Sequence, residues 1–567
     1  MTSYESVDAS VAATGEAIDR QAHAATARLT GGLSPVGLLE AWQDWALHLA
    51  ASPGRRWSLR QEAVAEAMKS LSAPATVETS SDPRFRDDGW RQWPFNAYAA
   101  GFQACERWWR SATTNVPGVQ AKNQRIVAFA ARQALDTISP SNFAATNPEV
   151  LSRIVATGGA SLLQGASNFA EDVAVQLGDD PETPFKVGRD VAVTPGQVVL
   201  RTALAEVIQY RPSTATVHPE PVVIIPAWIN RYYILDLTPQ ESLVRSLVAE
   251  GFTVFIVSWK NPGAEDRERG FEDYRQLGAL AAIDAATRIT GSKTVHAVGY
   301  CLGGTLLTMT AAAMARDGDR RIGSLTLLAS QADFTEAGEL SLFITESQVA
   351  LLEDLMWERG YLRPEQMSGA FQLLQSNDLI WSRVIHEYLM GERRTLQSLD
   401  AWSQDATRLP FRMESENLRK LYLDNDLAEG RFVAGGKPVA LRDIAAPMFV
   451  LGTETDHIAP WRSVYKLLLL CEADITFVLT NHGHNVGVVS PPGSPGRRHR
   501  VRRQKARGAY LAPDAWLERA KPQDGSWQPA WFAWLADRSS PKAAPPPLGV
   551  PGEACLGAAP GTFVLEP

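Results

Sequence analysis

Two hydrophobic rhythms divide this chain. Up to about residue 190, apolar side chains recur at helical spacing, as over 38–51 and 96–111. Ser139-Pro140-Ser141-Asn142 reads as a turn and cap, and Asn147-Pro148-Glu149 as a helix start with proline in its first turn. From about 191 the pattern becomes short aliphatic and β-branched runs separated by helical stretches. The runs lie at 222–225, 253–257, 294–298, 324–329, 448–451 and 475–479, with helical patterns at 243–250, 271–289 and 305–316. Such alternation implies an α/β architecture, a parallel sheet covered by helices. A second helical stretch, 331–440, separates the fourth run from the fifth. The expected organisation is a mainly helical N-terminal domain (1–190), a core in two parts (191–330 and 441–540) around a helical cap insertion (331–440), and a Pro/Ala/Gly-rich tail (541–567) expected to be extended or disordered apart from its last residues.

Composition changes this picture little. A chain of 567 residues with 45% hydrophobic and 21% charged residues reads as soluble and globular, with several structural units. A net charge of -8 gives no reason to expect nucleic acid or an anionic membrane as partner. Cys105, Cys301, Cys471 and Cys555 are scattered and form no CxxC pair, so neither a metal site nor a disulfide framework is expected. A reducing, cytoplasmic setting fits. The first 20 residues lack the basic and apolar regions of a signal peptide, and no apolar run reaches the ~18 residues of a transmembrane segment. The 17 tryptophans are the oddity: core packing accounts for buried ones, whereas exposed ones would suit an apolar, insoluble partner.

Chemistry concentrates at 293–316, KTVHAVGYCLGGTLLTMTAAAMAR. A strand run turns directly into a helical run through Gly299-Tyr300-Cys301-Leu302-Gly303-Gly304. This is the pattern of a nucleophile elbow, with a thiol at the reactive position, and it makes the sheet α/β-hydrolase-like. A glycine-flanked cysteine can also be a small core residue; the segments after the last two apolar runs favour chemistry. A nucleophile on this fold needs an acid and then a histidine, on loops after late strands. Asp456 comes after the run at 448–451, with Glu454 and Asp474 as alternatives, although Asp474 precedes its strand and belongs at the other end of the sheet. His484 comes after the run at 475–479 and is preceded by glycine; His482 is its competitor. His457 is as readily a packing residue as a supporting one, and His23, His48, His218, His296, His386 and His499 read as structural. The oxyanion hole is expected from the backbone N–H of Leu302 and an N–H in the loop 226–230, for which Trp228 is the candidate.

On these residues the sequence resembles the polyhydroxyalkanoate synthases, single-chain type. The family's G-x-C-x-G-G box stands at 299–304, and 226–237, 257–262 and 456–461 (AspHisIleAlaProTrp) are similar to family segments. Residues 402–410 look like its W-N-x-D-x-T-x-x-P, with Ser403 for the usual asparagine; 139–150 resembles part of its N-terminal domain. His482 stands where the family often has glycine, which leaves both histidines open as the base. The resemblance covers roughly 80–540 and implies an acyltransferase. It would join (R)-3-hydroxyacyl-CoA, with 3-hydroxybutyryl-CoA the expected monomer, into polyester through an acyl-cysteine, releasing coenzyme A and using no cofactor. It also implies a homodimer at the surface of cytoplasmic polyester granules. Asp456 would orient the histidine or help activate the substrate hydroxyl. A thioesterase or depolymerase on the same fold, or a granule-binding protein with a dead site, are the alternatives. Finally, Arg497, Arg498 and Arg500 open the densest basic run of the chain, 497–507, beginning 13 residues after His484. Arginine suits the phosphates of coenzyme A, although charge runs are usually solvated surface.

Overall fold

The computed structural model describes residues 2–30, 32–72, 82–176, 184–366 and 380–567. Parts of the expected N-terminal domain (73–81 and 177–183) and of the expected insertion (367–379) lie outside the described residues.

One sheet organises the chain. Its strands are β1 (Gly196–Arg201), β2 (Ala205–Tyr210), β3 (His218–Ile225), β4 (Phe252–Trp259), β5 (Val295–Tyr300), β6 (Ile322–Leu328), β7 (Met448–Thr453), β8 (Ile475–Thr480), β9 (Arg498–Gln504), β10 (Pro522–Asp524) and β11 (Gly557–Ala558). Their order is β10-β9-β8-β7-β6-β5-β3-β4-β2-β1-β11. The six inner strands, β8-β7-β6-β5-β3-β4, are mutually parallel and correspond to the six apolar runs. The outer strands on both sides pair antiparallel. One face packs on helices Ala281–Thr290 and Leu302–Arg316, the other on Leu243–Ala249 and Gln528–Ala536. Because parallel strands all point the same way, the loops after β3, β5, β7 and β8 meet at one end of the sheet, where such folds place their ligands.

Between β6 and β7 stands the helical insertion, including Glu346–Arg359, Ser398–Gln404 and Phe411–Glu416, the last running on into a π-helix, Asn417–Leu423. The N-terminal helices clasp this insertion. Ala24 and Ala27 pack on Leu351 and Leu355, and Ala41 and Trp45 share a cluster with Leu342. Asp172 binds Arg383, Tyr388 and Arg393. The basic run 497–507 supplies β9, the strand next to the short outermost β10: it pairs with β8, so that His499 faces Thr480 and Gln504 faces Ile475, and with β10 over Arg498–Arg500. The tail is held. Val217 and Ala543 exchange backbone hydrogen bonds at 2.8 Å, β11 pairs with β1, and Glu206 accepts from the Thr562 and Phe563 amides. Among the described residues no helix is long and apolar enough to cross a membrane.

Candidate active site

Cys301 sits on the turn from β5 into helix Leu302–Arg316, with φ 54° and ψ -131°. Few L-residues adopt that backbone, and such strain persists only where the surroundings enforce it. Three glycines make the turn possible. A Cβ on Gly299 would lie 2.3 Å from Gly304 Cα, one on Gly303 2.3 Å from the Ile225 carbonyl oxygen, and one on Gly304 2.5 Å from Ser330 Oγ. The Gly303 contact also fixes where the loop after β3 runs: its backbone passes directly beside the first turn of the nucleophile helix. The N–H of Leu302, first residue of that helix, has no partner within the helix. Trp228, two residues beyond Pro226, is buried against Phe271 and Tyr274, and its carbonyl accepts from Thr407 Oγ1 of the insertion.

The loops after β7 and β8 bring Asp456 and His484 to the same place. His484 Nδ1 is 2.8 Å from Asp456 Oδ2. Asp456 is held in turn by Thr453 Oγ1 (2.7 Å) and by the amides of Ile458 (2.9 Å) and Ala459 (2.8 Å). These partners carry only a weak sequence signal, a carboxylate with backbone two and three residues later that can turn back on it. Burial disfavours the Asp456 carboxylate, yet His484 and these donors hold it below its usual range. Burial likewise disfavours a charged His484, but Asp456 and then Cys301 raise the imidazole well above its ordinary value. Nε2 is buried without a well-aligned hydrogen bond, and its neighbour is the Cys301 thiol. Such contacts tighten when substrate arrives. Tyr300 lies 5.5 Å from the His484 ring and donates to Asn485 Oδ1 at 2.6 Å, bracing the loop.

The alternatives stand elsewhere. His482 is exposed at φ 74° and its imidazole is lowered, by burial and then by Arg497. Glu454 pairs with Arg498 at 3.4 Å, and Asp474 with Arg503 at the opposite end of β8. His457 is exposed, and His296 is held between Ser324 and Ser539. In the basic run, Arg500 donates to the carbonyls of Leu517 and Ala520, while Arg497 Nε and Nη1 are buried without a partner. Among the described residues no cluster of His, Cys, Asp or Glu could hold a metal ion.

Cys301 opens on a cavity of about 380 Å³. Its walls come from three parts of the chain: Leu302 and Gln331 from the sheet's end, Phe343 and Leu418 from the insertion, and Thr30 and Leu33 from the N-terminal region. Gln348 of the insertion locks the last of these in place, accepting from the Ser34 amide at 2.7 Å and donating to the Gly32 carbonyl at 2.6 Å.

Comparison with known proteins agrees with this architecture. Residues 81–247 match the model described as "Poly-beta-hydroxybutyrate polymerase (PhaC) N-terminus", 13–55 "Poly-beta-hydroxybutyrate polymerase N terminal", and 220–491 "alpha/beta hydrolase fold". The poly(3-hydroxyalkanoate) polymerase of Methylorubrum extorquens is 39% identical over 503 residues, 87% of this chain and 82% of that one. The polymerase subunits of Rhizobium etli and Cupriavidus necator are each 36% identical, over 88% and 85% of this chain and 79% and 83% of their own. With that extent of similarity, and with an α/β-hydrolase sheet carrying cysteine at its elbow, the chain belongs to the poly(3-hydroxyalkanoate) polymerase family.

Proposed function

We propose that the chain polymerises (R)-3-hydroxyacyl-CoA, with 3-hydroxybutyryl-CoA as monomer, through a thioester on Cys301. The observation that carries this is the buried His484, bound to Asp456 through Nδ1 and facing the Cys301 thiol through Nε2. His484 takes the thiol proton, and the thiolate attacks the substrate thioester carbonyl. The Leu302 and Trp228 amides receive the developing oxyanion. As the carbon–sulfur bond to coenzyme A breaks, the imidazolium returns the proton to the leaving thiolate. Exchange of one thioester for another is nearly isoenergetic, so the acyl group stays activated. In the next half-reaction His484 takes the proton of a second unit's 3-hydroxyl, the oxygen attacks the acyl-cysteine, and the Cys301 thiolate leaves and is reprotonated. Asp456 orients the imidazole throughout, or helps to activate that hydroxyl.

The scheme uses no cofactor, since coenzyme A enters with the substrate and leaves as product. Of the three arginines assigned to its phosphates, Arg497 has the free donors, while Arg498 and Arg500 lend charge near the same strand end. The exposed Leu38, Leu39, Trp42, Leu47 and Trp57 of helices Pro35–Ala50 and Pro53–Ser72 suit contact with polyester at a cytoplasmic granule surface, or the partner subunit of a homodimer. The test is incubation of purified protein with 3-hydroxybutyryl-CoA. Free thiol release together with insoluble polyester is expected, and neither from Cys301→Ala. Release of soluble 3-hydroxybutyrate alone would make the chain a thioesterase, and polymer from Cys301→Ala would remove Cys301 from the mechanism.

A further inference from the structure

Glu414 is an unusual neighbour for an apolar cavity. It lines the same 380 Å³ cavity as Cys301, and only 3% of its surface is exposed. No cation pairs with it among the described residues. Its one hydrogen bond there is from Asn417 Nδ2 to Oε2, at 3.3 Å. Asn417 also lines the cavity, and its Oδ1 is buried without a partner. Tyr422 completes the group: half-buried, it lines the cavity too, and its phenol feels both the Cys301 thiol and the Glu414 carboxyl, so it stands near each. All three come from one continuous stretch, which changes from α-helix to π-helix at Asn417. A π-turn widens the helix and re-aims side chains, and such turns recur at functional sites.

A buried carboxyl without a cation stays protonated. Burial indeed raises Glu414 from 4.5 to about 8. It therefore offers a proton, while the Asn417 amide oxygen offers lone pairs. One small group satisfies both, a hydroxyl, which accepts and donates at once. We propose that Glu414 and Asn417, with Tyr422 beside them, hold the hydroxyl of the bound acyl group and make the cavity select hydroxyacyl over plain acyl thioesters. This specificity role rests on the acyl-cysteine chemistry proposed above. A site built to hydrogen-bond a substrate hydroxyl rejects the analogue lacking it, because its own polar groups are then left unpaired.

The test compares coenzyme A release from 3-hydroxybutyryl-CoA and butanoyl-CoA in a single turnover, so that polymer growth plays no part. Wild-type protein is expected to favour the hydroxyacyl thioester by more than about tenfold in kcat/KM. Glu414→Leu should bring that ratio close to one, whereas Glu414→Gln, which keeps a donor, should keep most of it. Thermal unfolding reports whether each variant is folded, and Asn417→Leu carries the same test if Glu414→Leu is not. An unchanged ratio in folded Leu variants, or no preference in the wild type, would overturn the assignment while leaving the acyl-cysteine intact. If the wild type releases coenzyme A from neither thioester, the acyl-cysteine reading fails, and this one with it.

Discussion

His482 and His484 are two residues apart, yet only His484 stands beside Cys301. From sequence they are nearly equivalent, since both come after β8 and both flank Gly483. The backbone decides between them: φ 74° at His482 turns its side chain to solvent, while His484 drops into the buried site beside Asp456. His484→Gln is therefore expected to slow coenzyme A release by roughly 10²- to 10⁴-fold, the usual worth of a positioned base. His482→Gln should change it at most a few-fold; initial rates by thiol release rank the two, and the reverse order would exchange their roles. The positions of Cys301 and Asp456 at one end of the sheet were legible because order and spacing after predicted strands are written in the chain. Glu414 was not, since a lone glutamate in a helical pattern reads as a solvated face, and only packing of the insertion buries it. That burial has its own signature. The unfolded chain gives up the Glu414 proton near 4.5 and the folded one near 8. Between those values the native state holds more protons than the unfolded state, so stability falls as pH rises and levels off above 8. Glu414→Gln removes this slope. Denaturant titrations at pH 5 and pH 8 should show the variant gaining on the wild type by up to the order of 3 kcal/mol; parallel curves would mean that Glu414 is solvated.

Among elements, the elbow is the least tolerant. Gly303→Ala puts a methyl against the Ile225 and Pro226 backbone, at 2.3 and 2.4 Å, and neither a strand end nor a proline can retreat. A loss of about 1–3 kcal/mol or more in thermal unfolding is expected, with a larger loss of activity because the Leu302 amide moves away from the loop after β3. Activity at wild-type level would show that this approach is not needed for the chemistry. The six parallel strands were readable because strands buried on both faces are apolar throughout. β9 was not. Its sequence, RHRVRRQ, carries arginine at the positions facing solvent or the sheet's rim, and what makes it a strand is backbone pairing with β8, to which side-chain pattern is nearly blind. Beyond Arg500, where pairing with the three-residue β10 stops, such charge also protects the sheet's edge from pairing with other chains.

For the whole molecule, the N-terminal region does more than pack: Thr30, Gly32 and Leu33 close the cavity over Cys301. No motif marks them, because their part depends wholly on where Gln348 meets them. Deletion of residues 2–34 should let water compete with the incoming hydroxyl. Per coenzyme A released, soluble 3-hydroxybutyrate is then expected to rise at the expense of polyester; an unchanged partition would mean that the insertion alone keeps the site dry. The Ser34–Gln348 hydrogen bond spans 314 residues of chain. At ribosomal rates of ~5–20 residues per second, the segment waits roughly 15–60 s for its partner. Cys301 is made during that wait, but Asp456 and His484 emerge only after the insertion has been synthesised. On the proposed chemistry the nascent thiol thus has no base until the material of its roof exists, and a chain interrupted before residue 456 carries Cys301 with neither the aspartate nor the histidine that would set it to work.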